Sequence, residues 1–184
     1  MLTRKKAQLA VAEGTLTQLT KKHASHPVYA LIAMGGTFDV LHRGHRRLLK
    51  KAFEVGKRVM IGVTSDAFAR QLHKPHKVDP FESRKKYLEE LLENWGVLSR
   101  AKIVRLDNRF GPTIANPRIQ AIAVSKRTVK TGYEINKKRR LRGLKPLVIV
   151  TIDLIPAQDR RPISSTRIRR GRIDREGRLV RNRS

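Results

Sequence analysis

Five short apolar runs set what this chain can fold into: VYALIAM (28–34), RVMIGVT (58–64), AKIVRL (101–106), RIQAIAVS (118–125) and LVIVTIDLI (147–155). Each has strand length, and none shows the regular polar alternation of a strand with one wet face, so each needs cover on both sides. The segments between them supply it. HRGHRRLLKKAFEVG (42–56) has apolar residues at 48, 49, 52, 53 and 55 and a closing glycine, which predicts a helix. PFESRKKYLEELLENWG (80–96) predicts a second helix with Pro80 near its start, residues 128–142 a basic third, and a last short one begins near Ser164. Buried strands alternating with helices specify a Rossmann-like, doubly wound α/β domain, a five-stranded parallel sheet with helices on both faces. A ligand of such a sheet lies beyond the carboxyl ends of its strands, where strand order reverses. That singles out residues 35–39, 64–77, 107–113, 125–136 and 155–166.

The 184 residues suit one domain, placed at 28–172, with a basic extension before it (1–27) and a basic tail after it (173–184). The extension includes KKHASHP, whose proline stops any helix there. No apolar run approaches the roughly 20 residues of a membrane span, and no early segment has secretory length. Cysteine is absent, which removes disulfides and thiolate catalysis. These features predict a cytoplasmic protein without membrane association, and a monomer is the working expectation.

Charge narrows the partners. A formal net charge of +27 gives affinity for polyanions, and from Arg160 to Ser184 ten arginines face only two acidic residues. Basic ends of this kind predict weak, salt-sensitive binding of RNA or DNA. Zinc-finger spacing, an aromatic-rich basic sheet signature and a GxxG clamp are missing, and aromatics are 5% of the chain, so no specific nucleic-acid module is expected. Met34 and Trp95 sit where core packing is reason enough for them.

Two clusters carry the chemistry. In GGTFDVLHRGH (35–45), Gly35 and Gly36 close a strand and allow a ligand to approach the backbone. Thr37 adds a hydroxyl, Phe38 an anchor, and Asp39 a brace for the loop. His42 and His45, three residues apart at a helix start, can meet oxyanions together with free backbone N–H groups. Gly44 keeps that helix start uncovered. No HExxH pattern or cysteine accompanies them, so no protein metal site is expected. In RRPISSTRIRRG (160–171), Ser164 can cap a short helix while Ser165 and Thr166 donate from its first turn and Arg167 adds a fork of donors. Alone, that cluster reads better as a capped surface helix in a basic tail.

The pairing of a strand plus GGTFDVLHRGHRRLL with a late ISSTRIR resembles the H-x-G-H nucleotidyltransferase superfamily over roughly residues 28–172. Within it, AFEVGKRVMIGVTSD (52–66) and GLKPLVIVTIDLI (143–155) resemble archaeal phosphopantetheine adenylyltransferases. The resemblance implies transfer of AMP from ATP to 4'-phosphopantetheine, giving dephospho-coenzyme A and pyrophosphate in coenzyme A biosynthesis. It implies that His42 and His45 face the β and γ phosphates, that Thr37 orients the reacting groups, and that Ser164, Ser165, Thr166 and Arg167 hold the departing triphosphate end. It implies Mg2+ carried mainly by the ATP phosphates. Lys74 or Lys77 would meet the acceptor phosphate, with Arg84 a further candidate. Lys126 and Arg127 would lie beside the phosphates, and Tyr133, Glu134 and Asn136 near adenine or pantetheine. GGTFDVLH also resembles the first motif of cytidylyltransferases and FAD synthetases, the nearest alternatives. Cytidylyltransferases of glycerol phosphate place an arginine, a threonine and a glycine before their serine and threonine pair, where this chain has RRPISST. A basic RNA-binding accessory protein would leave both motifs without a use.

Overall fold

Parallel strands cannot be joined by tight turns, and the apolar helices between them supply the crossovers. The computed structural model describes residues 27–180. In chain order its elements are β1 (Tyr29–Gly36), α1 (Arg43–Val55), β2 (Gly56–Thr64), α2 (Asp66–Gln71), α3 (Phe81–Asn94), β3 (Ala101–Leu106), β4 (Ala121–Ser125), α4 (Val129–Arg140), β5 (Val148–Ile152) and α5 (Ser165–Arg169). Short 3-10 turns lie at Leu98–Arg100 and Gly111–Ile114. The strands form one parallel sheet in the order β3-β2-β1-β4-β5, the doubly wound arrangement expected.

Successive residues of each strand face opposite layers. Ile32, Met34 and Ile61 pack with Leu49 and Phe53 of α1 and Leu88 and Leu92 of α3. Ala33, Met60, Ile122 and Val124 turn the other way, toward Ile135 of α4 and Leu147. Met34 is core as expected, and Trp95 packs at the margin of the first layer. β1 pairs with β2 as far as Gly36↔Val63, but with β4 only at Ile32↔Ala121 and Ala33↔Ile122. Beyond Ala33 the two central strands therefore part. That parting is the crevice.

The strand and helix bounds fall within a few residues of those read from sequence. β4 starts late because Asn116 and Pro117 turn the chain, with the Arg118 N–H donating to Asn116 Oδ1 at 2.9 Å. β5 stops at Ile152, after which the Asp153 carbonyl accepts Arg47 Nε at 3.0 Å instead of continuing the ladder. Helix α2 was not anticipated. Its cap, Ser65, accepts from the Phe68 N–H at 3.1 Å, and Asp66 fills its first turn, a signal that TSDAF carries openly.

The boundary expected at 172 cuts through a packed unit. Ile173 is buried at 1% exposure against Ala157 and Ile163. The Arg43 N–H donates to the Arg175 carbonyl at 2.9 Å, the Gln158 N–H donates to the Gly177 carbonyl at 2.8 Å, and Arg46 pairs with Glu176. The domain thus continues through the described part of the tail, because Ile173 supplies a core contact. Arg178 is solvated as expected, beside Asp174. The extension over 1–26, Arg181 and Arg183 lie outside the described residues. Among the described residues, no helix is long and apolar enough to cross a membrane.

Ile173→Ala is expected to destabilise the fold by about 2–5 kcal/mol, as for a buried aliphatic side chain cut to a methyl. Urea unfolding followed by circular dichroism measures it. A loss below about 0.5 kcal/mol is the surface value and would return residues 173–180 to a solvated tail.

Candidate active site

The crevice is built from the loop between β1 and α1. Phe38 adopts φ +52°, a left-handed conformation costly for a bulky residue, and its ring is fully buried 5.1 Å from that of His45. Phe38 thus shapes the loop from beneath, and only its backbone remains to meet a ligand. Asp39, with its carboxylate sealed from solvent, accepts from the Asp79 N–H at 2.9 Å and from both Nε and Nη2 of Arg169 at 2.8 Å. The same guanidinium reaches Asp79 Oδ1 at 2.8 Å. Burial alone would raise the Asp39 carboxyl, but the Arg169 fork, the Asp79 N–H and the nearby His76 hold it below the usual range. Arg169 is held the more firmly protonated.

His42 takes the place of a serine or aspartate as the N-cap of α1. Its Nδ1 accepts from the N–H groups of Gly44 at 3.1 Å and His45 at 3.4 Å, so its proton resides on Nε2. His45 is the opposite tautomer. Its Nδ1 lies 3.1 Å from the Val40 carbonyl, which can only accept, and the lone pair is left on Nε2. The rings stack with centroids 3.9 Å apart and planes at 23°. A side chain at Gly44 would put its Cβ 3.1 Å from the His42 ring, which accounts for the glycine. Burial, assisted by Arg46 and Lys74, pushes His42 down to about 4. Burial and the adjacent imidazole push His45 down to about 3. Both are neutral near pH 7.

Of the two lysines, the structure brings Lys74 to the site. It is half-buried and within electrostatic reach of both imidazoles, Asp39 and Arg127, and burial lowers its pKa. Lys77 is exposed. Arg84 is corrected outright as a phosphate ligand. It is wholly buried, with Nε on the Asp79 carbonyl at 2.7 Å, Nη1 on the Thr37 carbonyl at 2.8 Å and Thr64 Oγ1 at 3.3 Å, and Nη2 on Asp66 at 2.9 Å. Arg84 is a tie between loops.

At α5, Ser164 caps the helix by accepting from the Arg167 N–H at 3.4 Å. Ser165 is buried one turn before Arg169, hence on the helix face nearest Asp39, while Thr166 is partly exposed. Arg167 is turned to Asp159 and to the Pro162 carbonyl at 3.0 Å, so it braces the preceding loop and is not an open phosphate fork. After β4, Arg127 is exposed and Lys126 pairs with Asp153 at 2.8 Å. Glu134 pairs at 3.2 Å with Arg109, a residue of the cavity lining. Tyr133 is 62% exposed, and Asn136 is buried, clamping the Leu147 backbone through two hydrogen bonds of 2.9 and 2.7 Å.

Beside these groups opens a cavity of about 460 Å³ at the parting of β1 and β4. Gly35, Gly36 and Thr37 form its rim, while Met60, Val104, Leu106, Phe110 and Ile122 make a mostly apolar wall. Thr128, Arg109 and Phe110 were not singled out in the sequence, although all lie in stretches that the strand ends mark. Among the described residues no group of three or more His, Asp or Glu side chains could cage a metal ion.

A cytidylyltransferase-like family model matches residues 33–171. The phosphopantetheine adenylyltransferase of Methanothermobacter thermautotrophicus is 49% identical over 152 residues, 83% of this chain and 90% of that protein. That of Methanopyrus kandleri is 46% identical over 143 residues, 78% and 90% of the two chains. Among solved structures, a protein of unknown function from Archaeoglobus fulgidus superposes with a TM-score of 0.60 at 33% identity, covering 67% of this chain and 98% of its own.

Two measurements check the site. The folded-state histidine pKa values lie below the ordinary 6.5, so the unfolded chain binds more protons in that window and stability falls as pH drops from about 6.5 toward 4. The slope is at most about 1.4 kcal/mol per pH unit per histidine. His42→Asn, which keeps a cap, combined with His45→Asn should flatten it in urea titrations; an unchanged slope would sink this origin. Arg169→Met should cost about 3–5 kcal/mol by stranding the buried Asp39 charge, and adding Asp39→Asn should recover part of that loss.

Proposed function

Because the chain belongs to the phosphopantetheine adenylyltransferase family, we propose that it transfers the adenylyl group of ATP to 4'-phosphopantetheine, releasing pyrophosphate. The observation that carries this reading is the stacked pair of neutral imidazoles with Lys74 in electrostatic reach, on the loop whose Gly35–Thr37 stretch rims an apolar cavity. The relatives' names favour the pantetheine acceptor over the alcohol phosphates of cytidylyltransferases.

An oxygen of the acceptor phosphate attacks the α-phosphorus of ATP, that P–O bond forms, and the bond to the β-phosphate bridging oxygen breaks. No covalent enzyme intermediate is needed, so the side chains align and stabilise charge. Lys74 and Arg127, from the loops after β2 and β4, hold the acceptor and α phosphates, and Thr37 orients them. The pantetheine arm lies along the apolar wall at Met60, Val104 and Phe110. Ser164, Ser165 and Thr166 hold the departing end. Mg2+ would be carried by the phosphates of the nucleotide, since it keeps waters readily and the one buried carboxylate nearby, Asp39, is taken by Arg169. A cytoplasmic setting suits these substrates.

The tautomers give the two histidines different parts. His42 can donate Nε2–H to a phosphate oxygen as it stands. His45 offers only a lone pair at Nε2, so donating there requires a proton, which the triphosphate charge draws onto it. ATP binding is thus expected to take up protons, visible as a binding enthalpy that varies with the ionisation enthalpy of the buffer, and His45→Gln should abolish the added uptake.

The decisive assay follows dephospho-coenzyme A from ATP and 4'-phosphopantetheine. Equal or greater turnover of CTP with glycerol 3-phosphate, or of ATP with FMN, would overturn the assignment. His45→Ala should lower kcat by about 10²-fold or more, the scale for one oxyanion donor. Lys74→Ala should weaken kcat/KM for the acceptor by a similar factor and Lys77→Ala by less than about 3-fold; the reverse order would exchange their roles.

A further inference from the structure

The outward face of α4 takes no part in the reaction, and it carries an arrangement that fold stability does not account for. Gly132, Ile135, Asn136 and Arg139 form its buried side. On the opposite side Lys130, Tyr133, Lys137 and Arg140 are all exposed, at successive spacings of three, four and three residues, which sets them in one row about 15 Å long. Among the described residues none of the three cations meets a carboxylate. The only acid of the helix, Glu134, is drawn aside by Arg109, and Lys138 lies 4.9 Å over the Phe110 ring.

Cations in the last turn suit the helix dipole, but Lys130 stands in the first turn, where the dipole disfavours positive charge and no acid offsets it. Lys137 and Arg140, three apart, repel one another. Tyr133 leaves 62% of its surface in water in the midst of the row. A polyanion relieves the repulsion, and the aromatic face asks for something flat. Single-stranded nucleic acid has both features, since cations track its backbone while bases stack on aromatic rings without regard to sequence.

We propose that this face of α4 is a sequence-independent binding surface for single-stranded nucleic acid, with phosphates on Lys130, Lys137 and Arg140 and a base stacked on Tyr133. It is separate from the adenylyl-transfer crevice, which opens on the other side of the helix.

The test uses the full-length protein and a fluorescent 12-mer of uridine or thymidine, titrated by anisotropy at several salt concentrations. Lys130→Glu with Lys137→Glu and Arg140→Glu should reduce the slope of log affinity against log salt by about 2, the loss of three phosphate contacts on a single strand. A control reversing Lys50, Lys51 and Lys86, on the opposite layer, changes net charge equally and should lower the slope far less. Tyr133→Ala should weaken oligonucleotide binding about tenfold and leave binding of heparin, a polyanion without bases, unchanged. Circular dichroism and adenylyl transfer of the α4 triple variant should match the wild type. Equal losses in the α4 and control triples, or equal loss of heparin and oligonucleotide in Tyr133→Ala, would overturn the proposal. So would loss of binding to phosphatidylserine vesicles in the α4 triple while oligonucleotide binding survives, which would assign the face to membranes.

Discussion

One ion pair, its carboxylate buried and its guanidinium open to solvent on one side, joins the two halves of the site. Asp39 and Arg169 are 130 residues apart in the chain, one in the loop that ends in the histidine motif and the other in the last turn of the serine–threonine helix. The guanidinium grips the carboxylate through two nitrogens and Asp79 through one of them, so the loop bearing Lys74 is registered by the same contact. Such a pair gains little net stability over an apolar contact, because desolvating the carboxylate offsets much of the attraction. What it supplies is geometry. Without it, three loops from β1, β2 and the chain's end would each have to find their place through weaker contacts.

The same device recurs. Arg84 gathers the carbonyls of Thr37 and Asp79 on one side of the crevice, and Arg139 gathers those of Thr113, Asn116 and Lys145 on the other, at 2.6, 2.9 and 2.7 Å. Loops are rich in backbone groups that lack a ladder partner, and a buried carbonyl left alone is costly. Arginine carries five donors in a rigid fork, which suits it to collecting several carbonyls at once. Part of the +27 charge is therefore structural. Composition alone cannot separate these buried forks from the cations that face ligands.

Much of the architecture was legible because it rests on local signals. Continuous apolar runs gave the parallel sheet, and the histidines and glycines of residues 35–45 marked its ligand end. What escaped notice depends on contacts between distant residues. Arg169 looks like any other member of RIRRGR until Asp39 is seen beneath it. Ile173 lies among arginines in the sequence, and its partners Ala157 and Ile163 come from residues ten and more positions earlier. Lys74 and Lys77 are three apart and chemically alike, and only the path of the loop distinguishes them.

The electrostatics of the crevice follow from these assignments. Asp39, the one buried acid near the histidines, is neutralised by Arg169, so it does not oppose an incoming phosphate. The imidazoles are kept neutral by burial, which spares the empty site two further charges beside Lys74 and Arg127. An anion entering this space meets lysine and arginine already in place and a stack of imidazoles able to take up positive charge in response. Charge that appears only when the phosphates are present favours the occupied state without destabilising the empty one. A permanently cationic pair at the same position would repel Lys74 in the free protein and weaken the loop packing that Asp39 and Arg169 maintain.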